Sequence, residues 1–109
     1  MKLAQVRCFA LSLAEATEEP HFEYSSFRVR GKIFVTAPPG GQYVHVFARE
    51  EHREPVLAMC PEFVEKLIWG KRVVGVRIAL ARALPSVVKQ LVLRAWEAKA
   101  PKSLTQETT

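Results

Sequence analysis

The chain has 109 residues, 49% of them hydrophobic and 25% charged, which is the balance of one soluble globular domain with enough apolar residues to build a core without metal or disulfide staples. No apolar run approaches the ~20 residues needed to span a bilayer and no secretory signal opens the sequence, so a cytoplasmic protein that avoids membranes is expected. Charge is lopsided: Lys66 to Thr109 holds nine Lys/Arg and two Glu, whereas Met1 to Glu65 holds seven Lys/Arg and nine Glu, and such asymmetry points to a polyanionic partner.

Leu3, Val6, Ala10 and Leu13 recur at helical spacing and predict a first helix over about Lys2 to Ala14 with one buried stripe. The acidic stretch from Glu15 to Pro20 reads as the turn that ends it, because proline disfavours helix at the preceding residue. From Ser26 to Thr36, Phe27, Val29, Ile33 and Val35 alternate with Arg28, Arg30, Lys32 and Phe34. That period of two predicts strand, with Gly31-Lys32 at the tip of a hairpin. Pro38-Pro39-Gly40-Gly41 is a loop, and alternation resumes from Gln42 to Phe47.

Pro55 is expected to start a short helix through Met59, since proline is tolerated in a first turn, and Pro61 stops it. Phe63 to Trp69 and Val73 to Leu80 predict two strands around Gly70-Lys71-Arg72, with Val74, Val76, Ile78 and Leu80 on one face. Pro85 opens a last long helix, where Leu84, Val88, Leu91, Val92, Ala95 and Trp96 trace one side, and Pro101 ends it. Residues 1–101 thus form a single domain, followed by a polar tail from Lys102 to Thr109 expected to be disordered. Cys8 and Cys60 have no second Cys or His at metal-ligand spacing and are expected to be reduced, mostly buried thiols. The fold class is α+β: a two-layer sandwich in which the N-terminal and C-terminal helices cover one face of an antiparallel sheet.

The segment from Ala10 to Phe22, with Glu18-Glu19-Pro20-His21-Phe22 at its end, followed by Ser26-Phe27-Arg28-Val29-Arg30-Gly31-Lys32-Ile33-Phe34, resembles the MmcQ/YjbR family. The resemblance runs from about Leu3 to Lys102. It implies a CyaY/frataxin-like fold and a DNA-binding role with a double-wing arrangement. It does not bring iron binding with it, because Lys2 and Arg7 stand where an acidic ridge on the first helix would be needed. Pro55 departs from the family's middle segment.

Arg28, Arg30 and Lys32 would project from one strand face at about 7 Å intervals, close to the spacing of backbone phosphates. Their other reading is a solvated face paired with Glu18, Glu19 or Glu23. Lys71 and Arg72, with Arg77 nearby, would form a second basic wing. Trp69 beside them either stacks on a base or packs in the core. His21, His45 and His52 are too scattered for a metal site, and neither a nucleophile elbow nor a phosphate-binding glycine loop is present, so no cofactor, metal or catalytic residue is expected. The sequence therefore predicts a non-enzymatic domain that holds DNA or another nucleic acid through two basic hairpins. The alternative is a protein-interaction module using the exposed sheet face, and a homodimer is compatible with either.

Overall fold

A computed structural model describes residues 1–107. In chain order the elements are α1 (Leu3–Ser12), β1 (Ala16–His21), β2 (Tyr24–Val29), β3 (Lys32–Ala37), β4 (Tyr43–Val46), α2 (Glu50–Met59), β5 (Val64–Trp69), β6 (Arg72–Ala79), α3 (Pro85–Lys99) and α4 (Lys102–Glu107). The six strands form one antiparallel sheet in the order β1-β2-β3-β4-β6-β5, with helices packed on one face. The α+β architecture anticipated from the sequence is the one observed.

Strand registers separate the two faces of this sheet. Phe27, Val35, Val46 and Val76 stand side by side on β2, β3, β4 and β6, and all are fully buried. They receive Val88, Leu91, Val92, Ala95 and Trp96, the predicted stripe of α3; only Leu84, at the helix entrance, is exposed. The Trp96 indole N–H donates to the Ala14 carbonyl at 3.1 Å, which fastens α3 to the end of α1. Val6 and Ala10 are the deeply buried residues of α1. On β6, Gly75 lies against the backbone of β4: an added Cβ would sit 2.2 Å from the Val46 carbonyl oxygen, so any larger residue would force the strands apart.

Four sequence expectations change. The stretch read as an acidic turn is β1, an edge strand paired with β2 from Ala16↔Val29 to His21↔Tyr24. Pro20 is compatible with strand there, because an edge strand has one side without ladder partners. Glu18 points to the helix side, accepting from Arg7 Nε at 2.9 Å and from Ser25 Oγ at 2.6 Å. The guanidinium holds this carboxyl below the usual carboxylate range.

Helix α2 begins five residues earlier than expected, at Glu50, with Pro55 inside it. Proline lacks the N–H that would reach the Glu51 carbonyl, but that carbonyl lies in an exposed first turn where water can serve it. The segment from Lys102 is a short helix whose Leu104 is 7% exposed within the core cluster, while Thr108 and Thr109 lie outside the described residues. Both cysteines are free, yet only Cys60 is buried; Cys8 is exposed.

Candidate nucleic-acid interface

The β2–β3 connection turns at Arg30-Gly31, with φ of 51° and 79°. Two positive φ values are the signature of a type I′ hairpin turn, which suits the twist of its flanking strands. The tip is thus one residue earlier than the sequence suggested, and this dismantles the expected row of three cations. Arg28 faces the open side of the sheet, where its Nε donates to Ser26 Oγ at 3.0 Å and lies 3.9 Å from Glu19. Arg30 leaves the strand altogether and forks onto Glu15 at 2.6 and 2.8 Å. That contact lowers the Glu15 pKa and raises that of Arg30. Lys32 pairs with the core residue Val29, so it emerges on the helix side, opposite to Arg28.

At the second hairpin, Gly70 (φ 63°) and Lys71 form the two-residue turn between Trp69 and Arg72. Lys71 and Arg72 are exposed. Arg77 lies lower on the open face, with its guanidinium 3.9 Å over the Tyr43 ring and 3.4 Å from Glu65. The six predicted cations therefore divide into two sets. Arg28, Arg30 and Arg77 have carboxylate partners, whereas Lys32, Lys71 and Arg72 have no ion pair among the described residues.

Strand direction decides where the free ones lie. In an antiparallel order, β2, β4 and β5 run one way and β1, β3 and β6 the other. The β2–β3 and β5–β6 tips consequently occupy the same end of the sheet. Three strand steps of about 20–25° separate the two hairpins, so they splay rather than stack. The end of β4 runs into Arg49 there as well.

Between that end and α3 lies a depression of ≈ 380 Å³ lined by Arg49, Arg53, Arg72 and Lys99 with Phe47, Ala48, Trp69, Val73 and Val74. Four cations and no carboxylate line it. Arg53 donates to the Ala48 carbonyl at 3.1 Å, while its Nε is buried without a hydrogen bond, 3.7 Å from a Glu54 oxygen. Sequence reasoning did not single out Arg49 or Arg53. They belong to the start of α2, which the sequence reading left outside the helix.

The open face carries a second hollow. One cross-strand row crosses all six strands: Glu19, Ser26, Thr36, His45, Arg77 and Glu65. Above it sits a cleft of ≈ 430 Å³ lined by His21, Phe22, Tyr24, Ile33, Thr36, His45, Phe47, Trp69 and Lys99. Trp69 is 55% exposed and meets Phe47 edge-on, with ring centroids 5.2 Å apart, so it is a surface aromatic and not a core one. Tyr24 and His45 approach at 6.0 Å, and His21 and Phe22 at 4.9 Å.

Phe22 is 94% exposed at a φ of 59°, in a turn position where glycine is the usual occupant. On the floor, Thr36 and His45 are 3% and 8% exposed, and Thr36 Oγ1 and His45 Nδ1 have no hydrogen-bond partner. Burial, and secondarily the Arg77 charge, hold His45 below its ordinary pKa, so it is a neutral imidazole at neutral pH. The two hollows share Phe47, Trp69 and Lys99.

The histidines that looked scattered in sequence are partly gathered here: His21 and His45 line one cleft, while His52 lies on α2. No helix among the described residues is long and apolar enough to cross a membrane.

These features define an α+β domain with helices on one sheet face, an open aromatic cleft on the other and a cation-rich end between splayed hairpins. Residues 11–98 match the family model described as YjbR, and the chain belongs to that family. No curated protein and no solved structure matches it.

Proposed function

We propose that this protein is a non-enzymatic nucleic-acid-binding domain that holds the phosphate backbone at the sheet end bearing the two hairpins. One observation carries the reading: Arg49, Arg53, Arg72 and Lys99 line a single depression without a carboxylate in its wall. Lys32 and Lys71, at the two hairpin turns of the same sheet end, have no ion pair among the described residues. Glu54 lies 3.7 Å from Arg53, but Arg49, Arg72 and Lys99 have no ion pair among the described residues. Cations facing one hollow repel each other unless an anion sits between them, and a phosphate diester supplies that charge without needing sequence readout. Arginine forks onto phosphate oxygens and lysine adds a mobile point charge. Arg28, Arg30 and Arg77 hold the scaffold, since their charge is already answered by Glu19, Glu15 and Glu65.

DNA is the first partner to test, with RNA beside it. A gel-shift panel of duplex DNA, single-stranded DNA and RNA at two salt concentrations should show affinity that falls steeply as salt rises. Replacing Lys71 and Arg72 together by Ala should reduce the salt slope by about 1.4–1.8, because each lost phosphate contact removes about 0.7–0.9. The same exchange at Arg30 should change it little. Absence of binding to every nucleic acid at 50 mM salt would sink the reading, and the open sheet face would then be the surface to examine for a protein partner.

A further inference from the structure

We infer that the open-face cleft is a pocket for one unpaired nucleobase of a bound single strand, its floor made by Thr36 and His45 and its wall by Trp69. This rests on the nucleic-acid reading above and adds to it the state of the strand.

The floor supplies the first argument. Thr36 and His45 are cross-strand neighbours at the centre of the sheet. Each is more than nine-tenths buried and each keeps a polar atom without a partner. A buried hydroxyl or ring nitrogen left unpaired is destabilising, and such groups in native proteins call for an explanation. A base edge answers it, because it offers a donor and an acceptor side by side. The threonine hydroxyl can donate or accept, and a neutral imidazole presents one nitrogen of each kind.

The walls supply the second. Phe47 and Trp69 close one side of the cleft. Exposed aromatic faces stack on bases of any identity, and a volume of ≈ 430 Å³ lies in the range of small-ligand pockets.

Charge supplies the third. No carboxylate lines the cleft, and Lys99 joins it to the four-cation depression on the other side of the Phe47–Trp69 pair. Base and phosphate of one nucleotide thus have adjoining places. A paired base has its edge occupied and its faces stacked, so the occupant must be unpaired.

Trp69 provides the readout, because the second tryptophan, Trp96, is fully buried and bonded to Ala14. Titration of the whole protein with a short single-stranded oligonucleotide should quench Trp69 fluorescence. The same strand carrying abasic sites should bind about tenfold or more weaker, the scale of one lost base stack. Trp69→Ala should weaken the intact strand by a similar factor, whereas Thr36→Val, at a residue that lines the cleft and not the cation depression, should leave duplex binding within about twofold. Thr36→Val should alter the ranking among homo-oligomers of different base.

Equal affinity for intact and abasic strands would overturn the base pocket while leaving backbone binding intact. A free mononucleotide that quenches Trp69 as tightly as the oligonucleotide would overturn the strand as occupant. Loss of all binding, duplex included, would instead remove the parent reading and return the cleft to a protein partner.

Discussion

Two neighbouring rows of one sheet have opposite chemistry. Phe27, Val35, Val46 and Val76 face the helices, and none retains exposed surface. One residue away along the same strands, Ser26, Thr36, His45 and Arg77 face the open side. Ser26 Oγ donates to the Glu19 carbonyl at 2.7 Å, but Thr36 Oγ1 and His45 Nδ1 have no partner and Arg77 Nε is likewise unpaired. The covered row follows the rule that a half-buried sheet packs its apolar residues against helices. The open row breaks the rule that buried polar atoms find partners. Local departures of that kind concentrate where a surface serves something other than stability. Stability therefore resides mainly in the first row, and the second is where the proposed recognition falls.

The largest effect that tests this division comes from the covered row. Phe27→Ala removes a fully buried ring and should cost about 3–5 kcal/mol in denaturant unfolding. Nucleic-acid affinity of the fraction that remains folded should be unchanged. A comparable loss from trimming Trp69, which is 55% exposed, would erase the distinction between the rows.

Next in size is Thr36→Val in the absence of ligand. Valine keeps the β-branched shape and removes the hydroxyl that has no partner, so the free protein should gain about 1 kcal/mol. A gain in stability together with weaker base discrimination is the trade expected of a functional row. A destabilised variant would mean that the hydroxyl is satisfied in solution and the row carries no such tension.

Much of the covered row was legible in the sequence because apolar periodicity is its direct record. Val88, Leu91, Val92, Ala95 and Trp96 announce α3, and the alternation around Phe27 and Val29 announces β2. The open row was poorly legible. Thr36 and His45 carry no motif, and only strand register brings them side by side. Edge strand β1 was hidden because Glu18, Glu19 and Pro20 have low strand propensity, and its pairing with β2 overrides that preference.

Lys71, Arg72 and Trp69 were correctly placed at a hairpin because Gly70 marks its turn. The three-cation row at Arg28, Arg30 and Lys32 failed on a one-residue error in the turn. In a structure of period two, such a slip sends alternate side chains to the opposite face. Arg49 and Arg53 were missed because Pro55 looked like the start of a helix that begins before it.

The smallest expected effect is in pH, and its sign follows from His45. Burial and the Arg77 charge both disfavour its protonated form, so its pKa is lower in the folded chain than the ordinary value near 6.5. Above that value neither the folded nor the unfolded chain protonates this ring, and its contribution to stability is fully present. Below it the unfolded chain takes up a proton that the folded chain resists, so stability falls as the solution becomes more acidic.

Glu15 and Glu18 act in a lower window. Their pKa values are depressed below 4.5 by Arg30 and Arg7, so their contribution is present above 4.5 and is lost only as pH falls further. Denaturant midpoints measured between pH 7.5 and 5.5 thus sample His45 with those carboxylates constant. His45→Gln should flatten that part of the profile, while the decline below pH 4.5 persists. A wild-type midpoint that rises on acidification would mean that the ring gains a counter-charge in the folded state, and the open row would then have no neutral floor.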